Sequence, residues 1–443
     1  MRRLVFALLL LVPHVAHALT VDDAIAFALA QSHGNVHERV IREQAAAATD
    51  QAKSARSRML FTLHASELYQ RWNCPYAISF TTFAGGCLDD LPATMPGQAA
   101  PLVDRNASTN TLAVGLDQPV LGLLKLHADY VSAQRNAASL VEATSADDAR
   151  LVEAIRNGFL RYFEAVAAED VAKDSETELT EQLAVAQARE KNGVITIADR
   201  LRVQVALANA HQQRVSAHAQ AQITRASLLD TIGMSADDDS VVLEEPSQLL
   251  GAGAQPAPDR KAAAAGALAR RPEIRQAELA YDAAVAAHDS QMYALLPDVD
   301  VTAEYDRIDG QILSPTNAWF VGVRAQWTFW AWGADYFALH GAARQQKVAA
   351  LEVEDQRRQV TVQVRTAFAN LDAATAAVDA AAEAIDSANE AYRVTAKLLE
   401  AGSATTTDLL NAQAELTTAR LNLSRSKYEQ AMARVTLRRL TGD

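Results

Sequence analysis

Carboxylates carry most of the chemistry this sequence offers. Asp199 and Asp408 each close the same short pattern, Gly193-x-x-Thr196-x-x-Asp199 and Gly402-x-x-Thr405-x-x-Asp408. A Thr three residues before an acid, ahead of an apolar run, reads as an N-terminal capping box, and the Gly takes the left-handed conformation that ends the helix before it. Each stretch is thus a tight helix-turn-helix tip. A second acidic set, Asp298, Asp300, Glu304 and Asp306, alternates with Val299, Val301, Ala303 and Tyr305. Period-two alternation of this kind gives a strand one apolar and one charged face, so these four acids are expected to line a water-filled lumen.

Other chemistry has little support. His33 and His37 are spaced i, i+4 as two metal ligands can be, but Gly34 breaks the helix between them and no third ligand is near. No metal and no cofactor is expected. The sequence holds no G-x-S-x-G, no phosphate-binding loop and no H-E-x-x-H, which leaves catalysis without a foothold. Cys74 and Cys87, the two cysteines, favour one local disulfide over a metal site in an oxidising compartment.

That compartment follows from the first residues. Arg2 and Arg3 precede an apolar run from Leu4 to Val12 and then Ala16-His17-Ala18, the layout of a secretory signal peptide, assigned to residues 1–18. The run is too short to span a bilayer as a helix. The formal charge is −13, and removing Arg2 and Arg3 takes it to −15 (−13 minus 2). A surplus of that sign argues against nucleic acid.

The elements that hold the acids repeat. Gly193 and Gly402 are separated by 209 positions (402 minus 193), and the same offset relates Thr196 to Thr405, Asp199 to Asp408, Gln204 to Gln413, Leu207 to Leu416 and Gly233 to Gly442. A constant offset without a gap marks a duplication. The first copy is assigned to residues 19–233, a Pro- and Gly-containing linker to 234–258, and the second copy to 259–443. Each copy is expected to give short helices, two strands, a long helix, the tip and a return helix. In the first copy the strands are read at Leu60–Trp72 and Thr109–Val120, with an irregular segment between them, and Glu67 falls on the apolar face, near the outer rim. In the second copy the strands follow Pro297 and surround Trp319. Four of the five Trp residues, Trp319, Trp327, Trp330 and Trp332, cluster there as an aromatic girdle of the kind that flanks outer-membrane strands. The long helix after them carries Val364, Leu371, Val378, Ile385, Tyr392 and Leu399 seven apart, a coiled-coil seam.

Four strands cannot close a membrane barrel, and an open edge in lipid leaves backbone groups unpaired. Several chains must therefore share one barrel. At this point the sequence resembles the TolC family of outer-membrane efflux proteins, through Leu19-Thr20-Val21-Asp22-Asp23-Ala24-Ile25, Gln118-Pro119-Val120-Leu121, Leu295-Leu296-Pro297 and both Gly-x-x-Thr-x-x-Asp tips. The resemblance implies an α+β membrane protein in which a homotrimer builds a twelve-stranded barrel in outer-membrane lipid and a helical tunnel in the periplasm. It implies a passive exit channel of a Gram-negative tripartite efflux or type I secretion system. A periplasmic membrane-fusion adaptor, and an inner-membrane pump of RND, MFS or ABC type, would meet the tips around Gly193, Thr196, Asp199, Gly402 and Thr405. Asp408 and Asn411 match the family's constricting positions at that mouth, where the family has acids. Ala404 stands where the best-known member has a basic partner. The alternative reading, an adaptor-like coiled-coil protein without a channel, needs one hairpin and no aromatic-flanked strands.

Overall fold

The structure, a computed structural model, describes residues 18–442 apart from 31–34, 93–94, 254 and 256. The signal peptide, save Ala18, and His33 of the His33/His37 pair lie outside the described residues.

In chain order the elements are α1 (Val21–Ala28), α2 (Val36–Ser57), β1 (Thr62–Arg71), β2 (Tyr76–Ser79), β3 (Ala84–Cys87), β4 (Leu102–Pro119), α3 (Gly122–Lys191) and α4 (Ile197–Ile232). After them come α5 (Ser247–Gly253), α6 (Arg260–Arg270), α7 (Pro272–Tyr293), β5 (Asp298–Gln311), β6 (Asn317–Gln326), α8 (Ala334–Glu400) and α9 (Thr406–Thr441). They fall into two compact units that cut across the duplication. One gathers the chain up to Gln44 with Val141–Arg275 and Glu354–Asp443, and the other joins Ala45–Leu140 to Gln276–Val353.

The first unit is helical. Its core has several centres, because an alanine-rich helix buries only a narrow stripe. Ala24 and Ala28 of α1 pack with Leu151, Ile155 and Phe159 of α3 and with Leu228 and Ile232 of α4. Ala263, Ala267 and Ile274 pack with Val360, Val364, Phe368 and Leu371 of α8 and with Leu437 and Leu440 of α9. Along α8 the seam is buried at Val364 and Leu371 but only half-buried at Val378, Ile385, Tyr392 and Leu399. Beyond Leu371 no residue of this 67-residue helix is buried. The break between α6 and α7 falls at Arg271, whose extended backbone (φ −69°, ψ 128°) is what a residue before proline adopts, and Pro272 then opens α7.

The second unit holds one antiparallel sheet. Its four long strands lie in the order β1-β4-β5-β6, up and down in turn. Among the described residues β1 pairs only with β4 and β6 only with β5, so both outer edges are open. The helices beside it lie close. Ser132 and Ser139 of α3 donate to the carbonyls of Ala283 and Gln276 of α7, both at 3.0 Å.

One expectation needs correction. The segment between the first two strands, read as irregular from its Pro and Gly content, contains the β2–β3 hairpin. That hairpin pairs with the outer part of β4, which starts at Leu102 rather than Thr109. Short strands with Gly85 and Gly86 in them lack the alternation that periodicity detects. The segment read as the linker, 234–258, has local structure of its own. It holds α5, and Leu243 forms a parallel bridge with Leu19.

Candidate functional sites on the sheet and the hairpin tips

Residues facing each other across an antiparallel ladder point to the same side, so the register sorts the sheet into two faces. Asp300 is opposite Arg324, Thr302 opposite Asp117, and Glu304 opposite Gly115, which in turn faces His64. Asp298, Asp306 and Thr62 share that side. The four acids singled out from sequence thus stand on one face, but not alone. Arg324 Nη2 lies 3.5 Å from Asp300 Oδ2 and 3.7 Å from Asp117 Oδ1, and His64 Nδ1 lies 3.4 Å from Asp117 Oδ2. The imidazole of His64 lies over Gly115 and leaves no room for a Cβ there. The alternation puts Asp117 and Arg324 on the polar faces of their strands, but a one-strand pattern does not show that they meet across the sheet, and His64 was not singled out.

The other face is apolar. Leu63, Leu116, Ala303 and Val321 form one row, and Ala65, Val114, Tyr305 and Trp319 the next. Leu63 is 70% exposed, Val321 66%, Val323 71% and Trp319 77%. A soluble sheet buries such a face. Beyond those rows the face turns polar. Glu67 accepts from Asn110 Nδ2 (3.0 Å), Leu112 sits between Glu67 and Arg307, and Tyr305 Oη donates to Asn317 Oδ1 (2.8 Å). At the opposite end, Trp327, Trp330 and Trp332 follow the last residue of β6 and are all exposed. Trp327 Nε1 donates to the Leu295 carbonyl (3.2 Å).

The tips lie in the helical unit. Gly193 (φ 69°) and Gly402 (φ 75°) stand two residues past the last residues of α3 and α8, in a conformation where a side chain would be strained. Both capping boxes form. Thr196 and Thr405 cap α4 and α9, their side chains accepting from the amides of Asp199 and Asp408, and each aspartate accepts from the Thr hydroxyl at 2.7 Å and from the Thr amide. These bonds hold both carboxyls below the usual range, with the Thr hydroxyl as the leading cause. The tips differ in their surroundings. Arg202 Nη1 reaches Asp199 at 3.0 Å and Arg200 Nε reaches Glu190 at 2.8 Å, whereas Asn411 and Leu409 occupy the matching places in the second tip.

A set of polar ties that sequence reasoning missed joins the two hairpins. Gln182 Nε2 donates to Gln413 Oε1 (2.5 Å) and to Tyr392 Oη (3.3 Å), Gln413 Nε2 donates to Glu178 Oε2 (3.2 Å), and Arg420 Nη1 meets Glu178 Oε1 at 3.0 Å. Gln413 is buried, and its counterpart Gln204 is exposed. Beside the ties a cavity of about 250 Å³ is lined by Val185, Ala186, Ile195, Val203, Leu399 and Leu409. The one sequence signal was that Gln204 and Gln413 match across the duplication.

Cys74 and Cys87 form a disulfide with Cα atoms 5.5 Å apart, closing the segment that contains β2 and β3. Among the described residues no group of three or more His, Cys, Asp or Glu side chains could hold a metal, and no helix is long and apolar enough to cross a membrane.

With this geometry in hand, the chain can be set beside known proteins. Residues 264–443 match the outer membrane efflux protein family. No curated protein sequence matches the chain. Three solved structures superpose over almost its full length. A membrane protein from Pseudomonas aeruginosa is 18% identical with a TM-score of 0.78, over 95% of this chain and 93% of that one. The outer membrane protein VceC from Vibrio cholerae is 16% identical with a TM-score of 0.78, covering 95% and 96%. The CmeC outer membrane channel of Campylobacter jejuni is 13% identical with a TM-score of 0.79, covering 95% and 85%. At such identities the likeness establishes the fold.

Proposed function

We propose that three copies of this chain form a passive exit duct, because residues 264–443 match the outer membrane efflux protein family and the chain carries the fold of solved outer-membrane channels. The observation that carries the reading is the sheet: open along both edges and apolar on one exposed face. Unpaired N–H and C=O groups are intolerable in hydrocarbon, so the edges must meet strands of other copies. β1 and β6 are each ten residues long and run in opposite directions, which suits antiparallel closure from one copy to the next. Three copies give a twelve-stranded barrel with Trp319, Trp327, Trp330 and Trp332 at its interfaces with lipid.

The opposite face then lines the lumen. Asp298, Asp300, Glu304 and Asp306 outnumber Arg324, so the lumen favours cations. The tips at Gly193, Thr196, Asp199, Gly402 and Thr405 form the periplasmic mouth, where a membrane-fusion adaptor and an inner-membrane RND, MFS or ABC pump dock. The pump supplies the energy. Asp408 serves its helix cap and, repeated by symmetry, rings the mouth beside Asn411. Held low by Thr405, it stays ionised across the neutral range.

Purification from outer membrane should give an SDS-resistant trimer that dissociates on heating and conducts in planar bilayers. A stable single subunit lacking sheet signal would overturn the reading. Asp408→Ala should raise conductance or weaken block by divalent cations, and unchanged conductance and block would remove Asp408 from the gate.

A further inference from the structure

Among the described residues one histidine stands within a strand, His64, the third residue of β1. The register puts it opposite Gly115 of β4, and Gly115 on its other side is opposite Glu304 of β5. The ring is held from two directions. Its Nδ1 lies 3.4 Å from Asp117 Oδ2, and its Cε1 and Nε2 cover Gly115 so closely that no Cβ fits there. A side chain at 115 would push the ring away, so the bare glycine lets the imidazole lie across β4 in the direction of β5. The side chain is nonetheless 46% exposed on the charged face.

The charges around it share that face. β4 contributes Asp117, and β5 contributes Asp298, Asp300, Glu304 and Asp306. β6 contributes Arg324, 3.7 Å from Asp117 and 3.5 Å from Asp300. The other residues of β1 on this side, Thr62, Ser66, Leu68 and Gln70, carry no charge. Along the open edge of β1 the proposed ring brings β6 of a second copy, in which Arg324 is again the one charged residue. Five carboxylates thus stand against one guanidinium in each copy, a surplus of four negative charges. Carboxylates and guanidinium groups ordinarily keep their charge between about pH 6 and pH 8, whereas an imidazole changes its own in that range.

Resting on the proposed lumen, we infer that His64 sets how strongly the pore prefers cations and ties that preference to pH. A proton on the ring cancels one of the four surplus negative charges in each copy, at symmetry-related places around the duct. With Asp117 beside it and Gly115 beneath, the new charge appears on the wall at a fixed depth, close to the end of β1 that α2 leads into. A charge fixed on a narrow aqueous wall repels ions of its own sign, so the preference for cations weakens as the medium turns acidic. The acids alone give the lumen its sign, and His64 makes the strength adjustable.

The test uses the full-length protein in planar bilayers under a potassium chloride gradient. For the unsubstituted protein the reversal potential should report cation preference at about pH 8 and move toward zero at about pH 6. His64→Gln, uncharged throughout, should hold the alkaline value at both, and His64→Arg should hold the acidic one. Burial pushes Glu38 of α2 up to about 7, so Glu38→Gln is the control, and it should respond as the unsubstituted protein does. A response that survives in His64→Gln, or that disappears in Glu38→Gln, overturns the assignment to His64 and leaves the pore reading standing. So does a conducting unsubstituted protein whose reversal potential stays the same at both pH values, a result that needs no variant to fold. Absence of conductance from the unsubstituted protein overturns the pore reading, and the inference with it.

Discussion

Each copy buries a carboxylate at the start of its second short helix, Glu38 in α2 and Glu273 in α7, at 3% and 8% exposure. Their charge settings are opposite. Glu273 is gripped by Arg271 through two bonds of 2.7 and 3.1 Å, with Arg150 and Arg439 each 3.8 Å away. Burial pushes its carboxyl up, but Arg271, the backbone and Arg150 together outweigh this, and the group lies below its ordinary value. Glu38 faces Asp148 and Asp147 with one cation, Arg42, which is bonded to Asp148 at 2.8 Å and to the Leu29 carbonyl. Burial first, then the hydrogen bond and charge of Asp148, push Glu38 up to about 7. Two carboxylates of similar burial, one near the start of α2 and one near the start of α7, thus differ in proton affinity because their neighbours differ.

The contrast can be broken or sharpened by experiment. The largest effect is expected from Arg271→Ala, which leaves Glu273 buried without its main partner. Breaking one side of a buried pair costs about 3–5 kcal/mol, so the helical unfolding transition followed by circular dichroism should shift to clearly lower temperature. An unchanged midpoint would mean that Arg150 and Arg439 suffice. The pH response comes next. Glu38 has a folded value above its unfolded one of 4.5, so its stabilising contribution is complete below that value and is lost as pH rises toward about 7. Glu273 has the reverse sign, contributing above its unfolded value and losing that contribution as pH falls. Glu38→Gln should therefore flatten the decline in thermal midpoint between pH 4.5 and 7, and a slope equal to that of the unsubstituted protein would contradict the assignment. The smallest effect is at the tips, where Asn411→Arg copies the first tip's Arg202 onto the second. Two exposed charges gain little, so stability should hold while conductance rises or divalent block weakens as the proposed ring of Asp408 residues loses net charge.

Much of this architecture could be read from the residues. The tips were legible because a capping box and a left-handed glycine are local, and Thr196/Asp199 and Thr405/Asp408 need nothing beyond their own turns. The faces of β5 and β6 were legible because alternation is a one-strand property. What stayed hidden depends on partners distant in sequence. Arg324 matters through Asp117, more than 200 positions away, and Gln182 through Gln413. The hairpin of β2 and β3 was hidden for another reason. Its strands are four residues each and glycine-bearing, and only the pairing with β4 gives them extended form. Glu38 sits in a polar helix where nothing local marks it, and its burial arises from packing near Asp148.

The staple in the first outer connection has a consequence for biogenesis. Cys74 and Cys87 are 13 positions apart, and every rung between β2 and β3, from Tyr76 with Cys87 to Ser79 with Ala84, lies within the loop they close. On the proposed outer-membrane reading, oxidation can thus be finished while β5 and β6 are still being translocated. Thiol oxidation in the periplasm then becomes an early quality check, and a host short of oxidising capacity would deliver chains whose outermost loop is slack when the copies first come together.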